Sequence, residues 1–469
     1  MIKRNSLLAS AMFCSLAAFA GTDINVYHES TVSVRIANPG LKMTFKAGEL
    51  KLVDETFALA KLDSIILDHY VSVHFDENTV AVSNPYDDVD IKIDGTKVTI
   101  DSKVDREVKY KFSGVSADGC VVFSSLYKAK FAIDSLQLTS KGVNPPFHVL
   151  TKKSIDVTLN GTTNLLNSEA DTAGATVRSH GQLIFNGDGN LNVTSVKGHA
   201  IQSSDYVAVR SGNLKLDAAS DGIHVNDYYL QSGGDVDIVC KSDGLDIGEG
   251  YAEITGGKFV VKSSAVEARG IRTAIDPVKK NNADVKVSGG YVDIQLSGKG
   301  ARGFKSEGNV NVSGGDVVII MSGETYINAK DTTSTCGIKA DSALVVEDGN
   351  LFVICQSKAL SSRCVQADLS AYFNGGTSVL HQNCGTKVDG GKKPSALKTD
   401  GDVVVAEPRN LWIFATKGSK GINIDGGKIL INNVEYFNDS ESDNYVYSKI
   451  QANPLNNNLW DTIELKFDK

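Results

Sequence analysis

Glycine pairs followed by short apolar strands recur at intervals of 22 residues. The recurrence is clearest over residues 200–216, 222–238 and 244–261, and the third segment contains one extra residue. Apolar and polar residues alternate within each segment, which is typical of strands that bury one face. About 22 residues accommodate three short strands and three turns, or one coil of a parallel solenoid. We therefore predict an all-β fold, a right-handed single-stranded parallel β-helix.

The recurrence does not extend over the whole chain. Residues 21–100 are rich in β-forming residues but lack the glycine pairs, and residues 435–469 are polar. A solenoid needs capped ends, because its terminal strands expose unpaired backbone groups. We predict a β-rich N-terminal cap over 21–100, the β-helix over 101–434 and a C-terminal cap or tail over 435–469.

The N-terminus has the features of a secretory signal peptide. Lys3 and Arg4 precede an apolar stretch over residues 7–20, and Ala18-Phe19-Ala20 forms a small-x-small cleavage site. We predict export, with residues 1–20 removed after Ala20. No later stretch is long and apolar enough to predict insertion into a membrane.

The charge of the chain narrows the class of partner. There are 56 acidic and 48 basic residues, which gives a net charge of −8. Such a chain does not favour nucleic acid or anionic membranes, whereas it can attract divalent cations. We expect a monomer.

The cysteines do not predict a zinc or redox site, because no two of them are spaced as C-x-x-C. Cys336 and Cys364 take matching places in later segments of the pattern. Two interpretations stay open for this pair, a disulfide between stacked residues or stacked free thiols.

Stacking at the 22-residue interval aligns acidic residues into columns. Three columns result: Asp205, Asp227 and Glu249; His199, Asp221 and Asp243; and Gln202, His224 and Asp246. Members of one column lie about 5 Å apart, and carboxylates at that distance repel. Calcium takes six to eight oxygen ligands, so we predict a calcium site formed by Asp205, Asp221, Asp227, Asp243, Asp246 and Glu249. The alternative is that these are ordinary solvated turn residues.

Tyrosines recur beside the acidic columns. Tyr206 and Tyr228 are expected to share one column, and Tyr229 and Tyr251 another, for which internal packing is the alternative role. Sugar rings stack on flat aromatic side chains through their apolar C–H faces. An exposed tyrosine column therefore predicts a sugar-binding strip.

In later segments the position equivalent to His224 becomes basic, in Arg272, Lys305, Lys339 and Lys398. Such a column can bind acidic sugars such as galacturonate, or it is a solvated face. The residues predicted to contact carbohydrate are Tyr206, Tyr228, His224, Arg272 and Lys305.

Four motifs occur in this order along the chain: Val157-Thr-Leu-Asn-Gly-Thr-Thr-Asn164, Ser220-Asp-Gly-Ile-His224, Ser242-Asp-Gly-Leu-Asp246 and Ile254-Thr-Gly-Gly257. In this order they resemble the secreted bacterial carbohydrate-binding domain-containing proteins. The resemblance implies a parallel β-helix similar to certain polysaccharide lyases, bound calcium, and binding of plant cell-wall polysaccharides such as cellulose and pectin.

Three functions remain in competition. The first is a non-catalytic protein that binds polysaccharide, assisted by calcium. The second is a polysaccharide lyase, which needs calcium to neutralise a uronate and a Lys or Arg base to remove its C5 proton. The third is a structural or adhesive surface protein. A glycosidase is a poor match, because it needs two carboxylates across a groove and a column offers them on one wall.

Overall fold

The computed structural model describes residues 2–3, 15–17, 22–28, 31–37, 42–46, 49–52, 55–58, 62–278, 280–329, 332–406 and 411–436. Most of the predicted signal peptide, its cleavage site after Ala20 and all but two residues of the predicted C-terminal segment lie outside these ranges. The described elements are all strands, and no helix among them could cross a membrane. The chain divides into a first unit, Met1–Lys262 with Asp276–Asn281, and a second, Ser263–Ile275 with Asn282–Lys469.

The first eleven strands of the first unit include its antiparallel pairs. They are β1 (Ile2–Lys3), β2 (Ser15–Ala17), β3 (Thr22–His28), β4 (Thr31–Ala37), β5 (Lys42–Lys46), β6 (Glu49–Leu52), β7 (Glu55–Ala58), β8 (Leu62–Asp76), β9 (Thr79–Ser83), β10 (Val89–Asp94) and β11 (Lys97–Ser102). Strand β3 pairs antiparallel with β4 and β8, β8 with β9, and β10 with β11. Parallel pairing begins where β12 lies against β8 and where β13 lies against β11.

Eighteen further strands follow, most of them short. They are β12 (Val108–Ser116), β13 (Cys120–Ser125), β14 (Ala129–Thr139), β15 (Phe147–Val149), β16 (Ile155–Asn160), β17 (Thr162–Leu166), β18 (Ala175–Ser179), β19 (Leu183–Gly187), β20 (Asn190–Ser195), β21 (His199–Ser203), β22 (Val207–Val209), β23 (Asn213–Ala218), β24 (Ile223–Val225), β25 (Tyr229–Gln231), β26 (Asp235–Cys240), β27 (Leu245–Ile247), β28 (Ala252–Ile254) and β29 (Lys258–Ser263).

These strands stack in three parallel ladders. Ladder A contains β11, β13, β15, β18, β21, β24 and β27. Ladder B contains β16, β19, β22, β25 and β28, and ladder C contains β17, β20, β23, β26 and β29. In ladder C the buried Leu214 and Leu216 lie opposite Val236 and Ile238, so one face of the ladder forms the core. Each such apolar side chain contributes about 1.5–3 kcal/mol when fully buried.

The second unit is built in the same way. Its strands are β30 (Arg269–Thr273), β31 (Val285–Leu296), β32 (Arg302–Ser306), β33 (Val310–Met321), β34 (Tyr326–Ile327), β35 (Thr332–Thr333), β36 (Cys336–Ala340), β37 (Leu344–Cys355), β38 (Arg363–Ala367), β39 (Ala371–Phe373), β40 (Thr377–Gln382), β41 (Ser395–Thr399), β42 (Val403–Val405), β43 (Leu411–Ala415), β44 (Lys420–Ile424), β45 (Ile429–Ile431) and β46 (Val434–Tyr436). Strands β30, β32, β36, β38, β41 and β44 form ladder D, in which all pairs are parallel.

The predicted all-β class is correct, but the predicted right-handed single-stranded parallel β-helix is wrong. Twelve parallel strands form a closed β-barrel, to which further strands are added. The long strand β14 shows why: it pairs with β16 through residues 129–134 and with β17 through residues 137–139. Ladders B and C are thereby joined in one sheet, whereas the prediction gave each coil three separate short strands. The 22-residue interval predicts which residues stack, but not how the ladders join.

The extra residue of the third segment is absorbed in a turn. Val207 lies opposite Tyr229, 22 residues later, and Tyr229 lies opposite Ala252, 23 residues later. Gly250 takes the place above Asp227 in this turn, and a Cβ atom on Gly250 would lie 1.5 Å from the carbonyl oxygen of Asp227. The turn therefore requires glycine at position 250 because of close backbone approach.

Replacing Gly250 with alanine should destabilise the protein, whereas Gly248→Ala in the same turn should not. A Cβ atom at Gly248 meets nothing nearer than 3.7 Å. Overpacking of this kind costs about 1–3 kcal/mol. Thermal unfolding of the two variants measures the difference, and equal stabilities would contradict the close approach.

Candidate functional site

A column of polar side chains runs along the outer face of ladder A. Successive strands place His148 opposite Arg178, Arg178 opposite Gln202, Gln202 opposite His224 and His224 opposite Asp246. The inward neighbours, such as Ile201, Ile223 and Leu245, are fully buried. Because strand side chains alternate between faces, the polar members point away from the core.

Two histidines and two aspartates of this face are in direct contact, and we call them the His–Asp cluster (His199, Asp221, His224 and Asp246). Nδ1 of His224 lies 2.9 Å from Oδ2 of Asp246 and 3.6 Å from Oδ2 of Asp221. Nδ1 of His199 lies 3.0 Å from the same Asp221 oxygen. The two imidazole rings are stacked, with centroids 4.8 Å apart. The 22-residue interval placed His199 in one column with Asp221 and His224 in another with Asp246. It predicted neither the contact between these two columns nor the stacking of the rings.

The cluster balances its own charge. Burial alone would raise the pKa of Asp221, but the contacts with His199, His224 and Ser242 outweigh it and hold that pKa well below its usual range. Hydrogen bonding to Asp221 and Asp246 raises the pKa of His224 to about 9. His224 is therefore an imidazolium at neutral pH and neutralises the carboxylates that the sequence predicted to need a cation.

The predicted calcium ligands fall into two groups. Asp221 and Asp246 contact imidazole nitrogens, and Oδ1 of Asp221 accepts the N–H of Asp243 at 3.0 Å. Calcium binds oxygen ligands, so an aspartate committed to histidine does not suit it. The acids in the neighbouring turns, Asp205 and Asp227, offer carboxylate oxygens, which are the donors that calcium prefers.

Asp205 and Asp227 lie in successive turns, and the third acid of their predicted column is displaced. The N–H of Asp227 donates to the carbonyl oxygen of Asp205 at 3.2 Å. The N–H of Glu249 instead donates to the carbonyl oxygen of Asn226. The predicted column of Asp205, Asp227 and Glu249 is therefore broken at Glu249, because the extra residue of the turn moves it one place out of line.

The tyrosines form a longer column than predicted. Tyr206 stacks on Tyr228 with ring centroids 4.5 Å apart, and Tyr228 stacks on Tyr251 at 5.2 Å, both nearly parallel. The predicted column of Tyr229 with Tyr251 is wrong: Tyr229 is fully buried and lies opposite Ala252. Burial, together with the neighbouring Tyr206 and Tyr251, raises the pKa of Tyr228 to about 12, so its phenol stays protonated.

This tyrosine ladder, Tyr206–Tyr228–Tyr251, differs from an open stacking platform. Both faces of the central ring are covered by its neighbours, at 4.5 and 5.2 Å. A sugar can therefore stack only on an end ring. Tyr206, at one end, lines a cleft.

The cleft beside Tyr206 has a volume of about 250 Å³. Its remaining lining residues come from or adjoin three neighbouring strands of ladder B: Ala208, Val209, Arg210, Leu230, Gln231, Ser232, Glu253 and Thr255. Arg210 is exposed, and Glu253 is half-buried. The cleft thus combines an aromatic ring, an apolar floor at Leu230 and charged hydrogen-bonding groups. The sequence analysis missed Arg210 and Glu253, although each belongs to a column that the strand register defines.

Arg178 is a second residue that the sequence analysis missed. It is half-buried, burial lowers its pKa, and its Nη2 donates to Oγ of Ser204 at 3.2 Å. Its Nη1 is buried and has no hydrogen-bond partner. Arg178 lies opposite Gln202 on the preceding strand of ladder A, so extending the predicted column by one strand would have identified it.

The predicted basic column of the second unit lies in register but is paired with acids. Arg272 lies opposite Lys305, and Lys305 opposite Lys339. Lys305 forms an ion pair with Asp341, and Lys339 contacts Asp341 at 2.8 Å. A sugar carboxylate at Lys305 would therefore compete with Asp341, which the sequence interval did not reveal.

The cysteines of the second unit are free and buried: Cys336, Cys355, Cys364 and Cys384. Cys336 lies opposite Arg363, so Cys364 is one residue out of register with it. Of the two interpretations of Cys336 and Cys364, the structure has free thiols. Burial, the largest influence, raises the pKa of Cys336 to about 12, so its thiol is protonated.

Comparison with known proteins gives the family. A model of the carbohydrate-binding domain-containing proteins matches residues 94–390, which is more than half of the chain. The chain belongs to this family. The family resemblance predicted from the ordered motifs is therefore confirmed.

Individual relatives add little to the family assignment. No curated protein matches the chain. Among solved structures, a polysaccharide lyase-like protein from C. thermocellum, determined as a gadolinium derivative, is similar at 23% identity. The similarity covers 52% of this chain and 96% of that chain, with a TM-score of 0.43.

The pairing of Asp341 should be visible in the pH dependence of stability. Burial would raise the pKa of Asp341, but Lys305 and Lys339 outweigh it and lower that pKa. A carboxylate with a lowered native pKa stabilises the protein above its ordinary pKa, near 4, and loses that contribution as the pH falls through the native value. Asp341→Asn should therefore be less stable than the native protein at pH 7, and the difference should shrink as the pH falls below about 4.

Denaturant unfolding across this pH range measures the effect of Asp341→Asn, with Asp389→Asn as the matched control. Asp389 is exposed, so its substitution should change stability little at either pH. A constant difference between Asp341→Asn and the native protein at all pH values would contradict the ion-pair account.

Proposed function

We propose that the protein binds polysaccharide without cleaving it, through the cleft at the Tyr206 end of the tyrosine ladder. The observation that carries the proposal is the combination, in one cleft, of Tyr206 with Arg210 and Glu253. The family to which the chain belongs supports it. Pyranose C–H faces pack on aromatic rings, and sugar hydroxyl groups bind guanidinium and carboxylate groups through hydrogen bonds.

The lining of the cleft supports binding rather than hydrolysis. Glycoside hydrolysis uses two carboxyl groups that flank the bond to be cleaved, about 5–9.5 Å apart. Glu253 is the one carboxylate among the residues that line the cleft. The cleft therefore offers a hydrogen-bonding group for a sugar but no acid–base pair.

The finer proposal is that the ligand is a plant cell-wall polysaccharide, cellulose or pectin, that calcium assists binding, and that the protein is exported. The N-terminal sequence supports export. Asp205 and Asp227, in successive turns beside Tyr206 and Tyr228, support calcium. Bound there, calcium would supply a positive charge that attracts the carboxylates of a uronic-acid chain.

A second candidate, a polysaccharide lyase, is favoured by Arg178. A lyase needs a basic side chain near the uronate, and Arg178 lies on the outer face of ladder A, two strands from His224. Its Nη1 is buried and has no hydrogen-bond partner in the protein. Incubation with polygalacturonate and calcium, followed by absorbance of unsaturated product, separates the candidates. Turnover that is lost in Arg178→Ala would replace the binding proposal with the lyase.

Tyr206→Ala should weaken polysaccharide binding by about tenfold, which corresponds to about 1.4 kcal/mol and to the loss of one aromatic contact. Tyr127→Ala is the matched control, because Tyr127 is an exposed tyrosine of the same unit outside the cleft. Retention on insoluble cellulose and affinity electrophoresis in pectin measure the binding. Equal affinities of the two variants would exclude the cleft, and no retention of the native protein on any glycan would favour the structural or adhesive role.

Removing calcium should lower retention on polygalacturonate, and Asp205→Asn with Asp227→Asn should abolish that calcium dependence. Asp217→Asn is the control, because Asp217 is exposed on β23. Titration of calcium during affinity electrophoresis gives the comparison. Calcium dependence that survives the double substitution would assign the ion to other residues.

A further inference from the structure

The His–Asp cluster brings nitrogen and oxygen donors close together. Nδ1 of His199, Oδ2 of Asp221 and Nδ1 of His224 all lie within 4.8 Å of one another. The Asp221 oxygen is 3.0 Å from the first nitrogen and 3.6 Å from the second. Donors that share a tetrahedral zinc ion, each about 2.0–2.1 Å from it, lie about 3.3–3.4 Å apart. The two nitrogen–oxygen separations are therefore close to those between donors that share a bound ion.

The donors are held in place by the ladder. His199 begins β21, and His224 lies in β24, which is the next strand of ladder A. The carboxylate of Asp221 is fixed through its other oxygen, which accepts the N–H of Asp243 at 3.0 Å. Side chains on rigid strands lose little freedom when they bind an ion. Oδ2 of Asp246 lies 2.9 Å from Nδ1 of His224 and holds that imidazole in its orientation.

One donor is incompletely satisfied by the protein. Nδ1 of His199 is buried and has no hydrogen-bond partner, although the Asp221 oxygen lies 3.0 Å away. That contact is close enough for a hydrogen bond but does not have the required direction. Buried polar atoms normally have a partner, so the unpaired nitrogen indicates a ligand at this position.

We propose that His199, Asp221 and His224 bind a divalent transition-metal ion of the zinc and cobalt class. Imidazole is a preferred ligand of these ions, whereas calcium selects oxygen. The two histidines that make the cluster unsuitable for calcium are thus the residues that select its ion. Metal binding releases the proton that His224 carries in the cluster, because only a neutral imidazole ligates a metal. The site is separate from the cleft at Tyr206, and its ion has no part in the proposed binding of polysaccharide.

Cobalt(II) is the probe for this site, because its absorption spectrum reports both occupancy and coordination. We expect the full chain, freed of metal by chelation, to take up one Co²⁺. The bound ion should show a visible absorption band whose position reports nitrogen ligands. Zinc should displace the cobalt, and a large excess of calcium should not. His199→Gln and His224→Gln should each weaken binding by about 100-fold or more, since even the loss of a ligand's supporting partner costs about 10–100-fold.

His180→Gln is the matched control, because His180 is a half-buried histidine just after β18 in ladder A and outside the cluster. It should bind cobalt as the native protein does, and so should Tyr206→Ala, which tests the polysaccharide proposal separately. Far-UV circular dichroism establishes that each variant is folded. Absence of cobalt uptake by the native chain, uptake unchanged in folded His199→Gln, or displacement by calcium would each overturn the proposal.

Discussion

The register of parallel backbone hydrogen bonds between successive strands is the constraint on which the rest of the structure depends. In ladder A it brings Ile201 opposite Ile223 and Ile223 opposite Leu245, so equivalent side chains lie about 4.8 Å apart. A shift of one residue would turn every side chain of a strand to the other face. The extra residue before Tyr251 is therefore accommodated in the turn at Gly250, and β28 keeps its apolar residues Ala252 and Ile254 inside.

Stacking of equivalent residues places like groups together, and the protein stabilises them in two ways. Tyrosines stack face to face, which is favourable in itself. Acidic groups are alternated with cations: His224 lies between Asp221 and Asp246, and Asp341 contacts Lys305 and Lys339. Breaking the mostly buried contact between His224 and Asp246 would leave an uncompensated charge, which costs about 3–5 kcal/mol. The alternation of His224 with Asp221 and Asp246 also creates the cluster with metal-binding chemistry.

The 22-residue interval predicted more of the site than of the fold. It predicted that Tyr206 stacks with Tyr228, and the sequence motifs predicted the family. It did not predict the closed barrel, because the interval is the same whether or not ladders B and C are joined through β14. The placement of Tyr251 and Glu249 failed because one inserted residue in a turn cannot be located from spacing alone. The stacking of His199 on His224 and the ion pair of Lys305 with Asp341 depend on side-chain direction, which the interval does not contain.

Disulfide trapping across ladder B measures the register most directly. Leu230 and Glu253 lie opposite each other on the outer face, whereas Ala252 is buried. Disulfides form where Cα atoms lie within about 7 Å and the side chains face each other. Mild oxidation should cross-link the pair Leu230→Cys with Glu253→Cys, and peptide mass spectrometry should find that bond. Cross-linking of Leu230→Cys with Ala252→Cys instead would show a uniform 22-residue register and would contradict the tyrosine ladder and the site built beside it.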